Sequence, residues 1–82
     1  MIRYLLRTPA GPVVLSLAPP AGKVRGPLEY KGDPTAIAML DSWLSPQLDE
    51  FGVRIDRFTT VEGLRAALAS PEARMWSPER LR

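Results

Sequence analysis

Histidine and cysteine are both absent from this chain of 82 residues. Without thiols the chain can form no disulfide, and without imidazole or thiolate groups it lacks the ligands of the common zinc sites. Mechanisms that use a cysteine nucleophile or a histidine base are excluded as well. We therefore expect no metal site and no cofactor, and we expect that the chain is not an enzyme.

Long hydrophobic runs are also missing. The longest apolar stretch in the first half, residues 13–20, is interrupted by Ser16 and is far shorter than the ~20 residues that a membrane-spanning helix needs. Near the start, Arg3 and Arg7 fall within the short apolar run, which is unlike a secretory signal. The sequence predicts a cytoplasmic protein that does not associate with membranes.

Charge is small in total but unevenly distributed. The formal net charge is +2, yet residues 1–31 carry five cations and one carboxylate, net +4, and residues 32–50 carry four carboxylates and no cation. Such asymmetry can steer a charged partner, although a small domain also needs solvated charge. Asp49 and Glu50 are adjacent and so diverge on a helix, and no other spacing of carboxylates suggests a shared acid–base site.

Alternating apolar and polar residues predict strands in the first third of the chain. Residues 2–7 alternate, residues 8–11 contain the Pro and Gly of a turn, and residues 12–18 return as a second strand. The product is a hairpin. Residues 28–31 alternate again and predict a short third strand with Leu28 and Tyr30 facing inward.

Helical signals follow. Asp33 is placed as an N-cap, and apolar residues then recur at helical spacing from Ile37 to Phe51. Pro46, preceded by Ser45, predicts a kink or restart of this helix, and Gly52 is the predicted stop.

Two further elements are predicted after the first helix. Residues 53–58 alternate and form a marginal fourth strand. Thr59 and Glu62 match a capping box at the start of a second helix over about residues 60–69.

These elements predict an α+β fold, a small two-layer domain in which an antiparallel sheet packs against two amphipathic helices. We expect residues 1–82 to form a single domain. The segment 70–82 is either a docked short helix or a mobile tail. The predicted core consists of Tyr4, Leu6, Val13, Leu15, Leu17, Leu28, Ile37, Leu40, Leu44, Leu48, Ile55, Leu64 and Leu68.

Apolar residues on the outward side of the hairpin carry the leading functional hypothesis. Leu5 and Val14 should meet across the hairpin and need a cover. Either the tail covers them through Met75 and Trp76, or these four residues bind another protein, including a second copy of the chain as a homodimer. The leading interpretation is a small non-enzymatic protein-interaction module: an adaptor, inhibitor or regulator.

The alternative is a nucleic-acid-binding accessory protein. Its basic surface would consist of Arg3, Arg7, Lys23, Arg25 and Lys31. The glycines around Lys23 and Arg25 lack the spacing of a phosphate-binding loop, so this hypothesis depends on charge alone.

Overall fold

A computed structural model describes residues 1–50, 54–55 and 58–82. The elements in chain order are β1 (Ile2–Thr8), β2 (Gly11–Leu17), β3 (Arg25–Gly32), α1 (Pro34–Glu50), β4 (Arg54–Ile55), β5 (Phe58–Thr60), α2 (Val61–Ala69), a 3₁₀ helix (Pro71–Trp76) and β6 (Glu79–Leu81). Six strands form one sheet in the order β4-β5-β3-β2-β1-β6, with antiparallel pairing between neighbours. The predicted α+β fold is confirmed.

The β1–β2 hairpin has the predicted register. Its pairs run from Ile2 and Leu17 to Thr8 and Gly11, so only two residues form the turn. Gly11 has a φ of 126°, a conformation that glycine adopts without steric cost. The Thr8 hydroxyl donates to the carbonyl of Gly11 at 2.8 Å and accepts from the amide of Ala10 at 3.1 Å. The turn thus fixes Leu5 directly opposite Val14.

Strand β3 begins earlier than its alternating residues predict, at Arg25 rather than Leu28. Gly26 makes this start possible because the chain passes very close to Pro19 there. A Cβ at position 26 would lie 2.6 Å from backbone atoms of Pro19. The glycine that looks like a loop residue in the sequence is therefore a point of close backbone approach within a strand.

Helix α1 begins as predicted. The Asp33 carboxylate accepts hydrogen bonds from the amides of Thr35 at 2.9 Å and Ala36 at 3.3 Å. The predicted restart near Ser45 is not observed, because α1 continues through Pro46 to Glu50. Pro46 and Ser42 are exposed, so the carbonyl that loses its amide partner at this turn can bind water. The predicted helix stop at position 52 lies outside the described residues.

Helix α2 begins one residue later than predicted. Thr60 is its N-cap, with a side chain that accepts from the amide of Gly63 at 3.0 Å. Thr59 instead belongs to β5, where it pairs with Gly26 and is completely buried. The Thr59 side chain is completely buried, whereas Thr60, the last residue of β5, is half-buried and its hydroxyl caps the helix.

The core lies on one face of the sheet, where both helices and the 3₁₀ helix contribute side chains. Most of the predicted core is confirmed, and Tyr4, Leu28 and Ile37 pack against it while partly buried. Ile55 is the exception, at 58% exposed. Its position opposite Phe58 in a two-residue edge strand turns it away from the helices. The buried cluster is Ile2, Leu6, Val13, Leu15, Leu17, Ala36, Leu40, Leu44, Leu48, Leu64, Ala67, Leu68 and Trp76.

The C-terminal segment packs on the rest of the domain. Trp76 is 6% exposed, and its ring lies 6.2 Å from that of Trp43, measured between centroids. Strand β6 pairs with β1, with Glu79 opposite Leu5 and Leu81 opposite Arg3. Among the described residues, no helix has the length and apolar character to cross a membrane.

Candidate interaction surface

The sheet has a second face, opposite the helices, which we call the open face. On β1 it carries Arg3, Leu5 and Arg7, none of which is buried. The cross-strand partners of these residues on β2 are Ser16, Val14 and Pro12, and these are also exposed or half-buried. In the part of the chain that the structure describes, the helices all place their buried residues in the core on the other face. The open face is therefore an accessible surface.

A groove lies at one end of the open face, between the β2–β3 loop and strands β4 and β5. We call it the β4–β5 groove. It has a volume of about 420 Å³ and is lined by Pro20, Lys23, Val24, Arg25, Ile55 and Phe58. Val24 is 72% exposed, Ile55 58% and Phe58 46%. Since Ile55 pairs with Phe58, and Phe58 with Pro27, strand pairing extends this apolar row from β4 through β5 to β3.

Only tertiary structure assembles this groove. The last residue of the β2–β3 loop, Val24, and the first residue of β5, Phe58, are 34 residues apart in sequence, and pairing of β3 with β5 brings them together. Alternation had assigned Ile55 to the core. The only available signal in the sequence was the combination of a very short strand with a Gly/Pro-rich loop, which does not specify a groove.

The four predicted interface residues do not form one surface. Leu5 and Val14 are paired and half-buried on the open face. Trp76 is buried in the core, and Met75 is 62% exposed on the 3₁₀ helix. Successive residues of a 3₁₀ helix point about 120° apart, so Met75 and Trp76 face different surroundings. The tail therefore does not cover Leu5 and Val14 with Trp76.

The five cations proposed for nucleic-acid binding fall into two groups. Arg3 and Arg7 flank Leu5 on β1, and Lys31 pairs with Val14 on β3. Lys23 and Arg25 lie at the β4–β5 groove instead.

Carboxylates interrupt the first group of cations. Arg7 lies 3.9 Å from Glu79, and Glu29 occupies a position opposite Ser16 in the same sheet. The side chains of Arg7 and Glu79 are each 63% exposed, so this ion pair contributes little to stability. Together the five cations form no continuous basic patch.

A polar network that the sequence reasoning missed joins β3, α1 and β4. The Tyr30 hydroxyl and the Ser45 hydroxyl both donate to Oδ1 of Asp41 at 2.7 Å. Arg54 donates to the Ser45 hydroxyl at 3.0 Å and to both carboxylate oxygens of Asp49 at 2.9 and 2.8 Å. The spacing of four between residues 41, 45 and 49 was readable in the sequence as one helix face.

Burial raises the pKa of Tyr30 above its ordinary value, and the hydrogen bond to the negative Asp41 raises it further. The phenol therefore stays protonated and acts as a donor. The Tyr30, Asp41 and Ser45 side chains bond to one another rather than pointing at a common open space. The network consequently links β3, α1 and β4 through hydrogen bonds, and we assign it no catalytic role.

Neither a search for metal-binding clusters among the described residues nor comparison with known proteins indicates a further functional site. Within residues 1–50, 54–55 and 58–82, no group of three or more acidic, histidine or cysteine side chains is arranged to hold a metal ion. No protein-family model matches the chain, and comparisons with curated proteins and with solved structures also found no match. What the fold defines is a small α+β domain with one packed and one open sheet face.

Proposed function

We propose that this chain is a small, cytoplasmic, non-enzymatic protein-interaction module, an adaptor, inhibitor or regulator that binds a protein partner on its open face. One observation carries the proposal: Val24, Ile55 and Phe58 are large, exposed apolar side chains that line the same groove. Scattered apolar residues are normal on protein surfaces, whereas clustered ones mark interaction sites.

The energetics of the groove favour a protein partner. Full burial of a large apolar side chain contributes about 1.5–3 kcal/mol. Three such side chains in one concave site provide the kind of central anchor that dominates binding at protein interfaces. The Leu5–Val14 pair adds a second half-buried apolar spot on the same face.

The remaining chemistry supports a non-enzymatic role. The chain has no histidine or cysteine, and the Tyr30–Asp41–Ser45 cluster uses its polar atoms in internal hydrogen bonds. The groove itself has mainly apolar walls. Such a surface can bind and position a partner, and its described lining residues include no pair of groups placed for proton transfer.

Quantitative capture experiments with matched variants test the proposal. Tagged wild-type protein, Phe58→Ser and Met75→Ser are each incubated with lysate of the source cells, and captured proteins are measured by mass spectrometry. Met75 is the matched control because it is an exposed apolar residue outside the groove. We expect a protein captured equally by wild type and Met75→Ser but at least about tenfold less by Phe58→Ser, the factor that corresponds to 1.4 kcal/mol.

Circular dichroism establishes that both variants are folded. Equal capture by all three proteins would contradict the proposal. Capture that disappears after nuclease treatment would instead support nucleic-acid binding.

A further inference from the structure

The charged residues in the described lining of the β4–β5 groove have one sign. Among its described lining residues, Lys23 and Arg25 are cations and none is a carboxylate. The ion pairs found in the described part of the chain join Arg7 to Glu79 and Arg54 to Asp49, so neither lining cation takes part in them. The Nε atom of Arg25 is buried and has no hydrogen-bond acceptor among the described residues.

Cations beside apolar walls select for a particular partner. An apolar surface reduces solvent screening near it, and a guanidinium makes its strongest hydrogen bonds to a carboxylate. The groove is concave, with the β2–β3 loop on one side and β4–β5 on the other, so a protruding segment fits it better than a flat surface does. The groove is open to solvent and has a volume of about 420 Å³.

On the basis of the proposed function, we infer that the partner presents an acidic peptide segment to this groove. A large apolar side chain of the segment packs against Val24, Ile55 and Phe58. Flanking Asp or Glu residues pair with Lys23 and Arg25. The apolar walls supply affinity, and the two cations supply selection for acidic sequences.

Single-stranded nucleic acid fits the same features less well. Such ligands bind along grooves where several aromatic side chains stack on successive bases. Phe58 is the one aromatic residue among the described lining of this groove, and the other apolar lining residues are aliphatic or proline. The cations further along the sheet are interleaved with Glu29 and Glu79. An acidic peptide is therefore the better match.

Selection of short random peptides displayed on phage tests this inference. The intact chain is immobilised as wild type, as Lys23→Glu and as Arg74→Glu. Lys23 and Arg74 are both exposed, and both substitutions change the net charge equally, but only position 23 lines the groove. We expect wild type and Arg74→Glu to enrich peptides that carry Asp or Glu next to a large apolar residue, and Lys23→Glu to lose this acidic preference.

The best peptide is then synthesised, and its affinity is measured by fluorescence anisotropy. Lys23→Glu should weaken binding at least about tenfold, and Phe58→Ser should do the same. Lys23→Ala should give a smaller loss in the same direction, which keeps the inference testable if the charge reversal disturbs the loop.

Other outcomes overturn the inference in distinguishable ways. Enrichment of apolar peptides with no acidic preference, unchanged in Lys23→Glu, would refute it and leave the proposed function intact. Failure to obtain any peptide whose binding depends on Phe58 would refute it too, while the lysate experiment decides the proposed function separately. If a mixed-sequence single-stranded DNA binds more tightly than the peptide, the inference of an acidic peptide partner is refuted. Self-association of the chain that Phe58→Ser abolishes would refute it as well.

Discussion

At the scale of single residues, Trp76 packs in the core beside Trp43, and its neighbour Met75 remains exposed. We predict that Trp76→Ala lowers the free energy of unfolding by about 3–5 kcal/mol because it removes a large buried side chain. A domain of this size has a total of roughly 4–12 kcal/mol, so the variant will be marginally folded. Urea denaturation measures the change.

Met75→Ala is the matched control for this prediction. Its side chain is 62% exposed, so its free energy of unfolding should stay within about 0.5 kcal/mol of the wild-type value. Similar losses of unfolding free energy in Trp76→Ala and Met75→Ala would contradict the assignment of Trp76 as buried and Met75 as exposed. The original hypothesis that Trp76 binds a partner would require the opposite result, a stable Trp76→Ala variant with weakened binding.

Tyr30 predicts a pH dependence of stability. Its pKa is raised from the ordinary value of 10.0 in the folded state, so its contribution is fully present below that pH. Above it the unfolded chain loses the phenolic proton first, and the contribution is lost as the pH rises through the folded pKa. The stability advantage of wild type over Tyr30→Phe should therefore shrink between about pH 9 and about pH 11.

Urea denaturation of the two proteins at several pH values gives this difference directly. Comparison with Tyr30→Phe cancels the titration of the other ionisable groups. A stability difference that stays constant, or that grows with pH, would contradict the raised pKa that burial and the hydrogen bond to Asp41 give Tyr30.

At the scale of elements, the two adjacent threonines at the start of α2 have different roles. Thr60→Ala removes the hydroxyl that caps the helix and should cost about 1 kcal/mol. Thr59→Val removes a buried hydroxyl with no hydrogen-bond partner among the described residues, so it should be neutral or stabilising. Thermal and urea denaturation measure both effects. If Thr59→Val were destabilising and Thr60→Ala neutral, Thr59 would be the helix cap, as the sequence predicts.

Helix α1 predicts a stabilising substitution. Pro46 lies inside the helix and is exposed, so Pro46→Ala restores a backbone donor without disturbing the core. We expect the free energy of unfolding to rise by about 2 kcal/mol, after allowance for the greater freedom of alanine in the unfolded chain. Ser42→Ala, at another exposed position, should change it by no more than about 0.5 kcal/mol. A less stable Pro46→Ala variant would show that the proline favours the folded backbone.

Local rules explain which elements could be predicted from the sequence. The hairpin register follows from alternation plus a two-residue turn, and the start of α1 follows from Asp33 and the helical spacing after it. Thr59 and Ile55 were misassigned because pairing of β5 with β3 and β4 decides their environment. That pairing is non-local, so no short window of sequence contains it.

At the scale of the whole molecule, the chain builds one core and leaves the other sheet face open. The sequence predicts binding by apolar residues of that face and of the C-terminal segment, and of these Leu5 and Val14 lie on the open face. The β4–β5 groove could not be predicted because it joins a loop, an edge strand and a neighbouring strand. The central proposal is that this groove is the binding site for a protein partner.

Photocrosslinking in the source cells tests that claim most directly. Phe58 is replaced by the photoreactive analogue p-benzoylphenylalanine in one variant and Met75 in another, and adducts are identified after irradiation. We predict a discrete protein adduct from position 58, reduced by the additional substitution Lys23→Glu, and none of comparable yield from position 75. Equal adducts from both positions, or no protein adduct from position 58, would contradict the account.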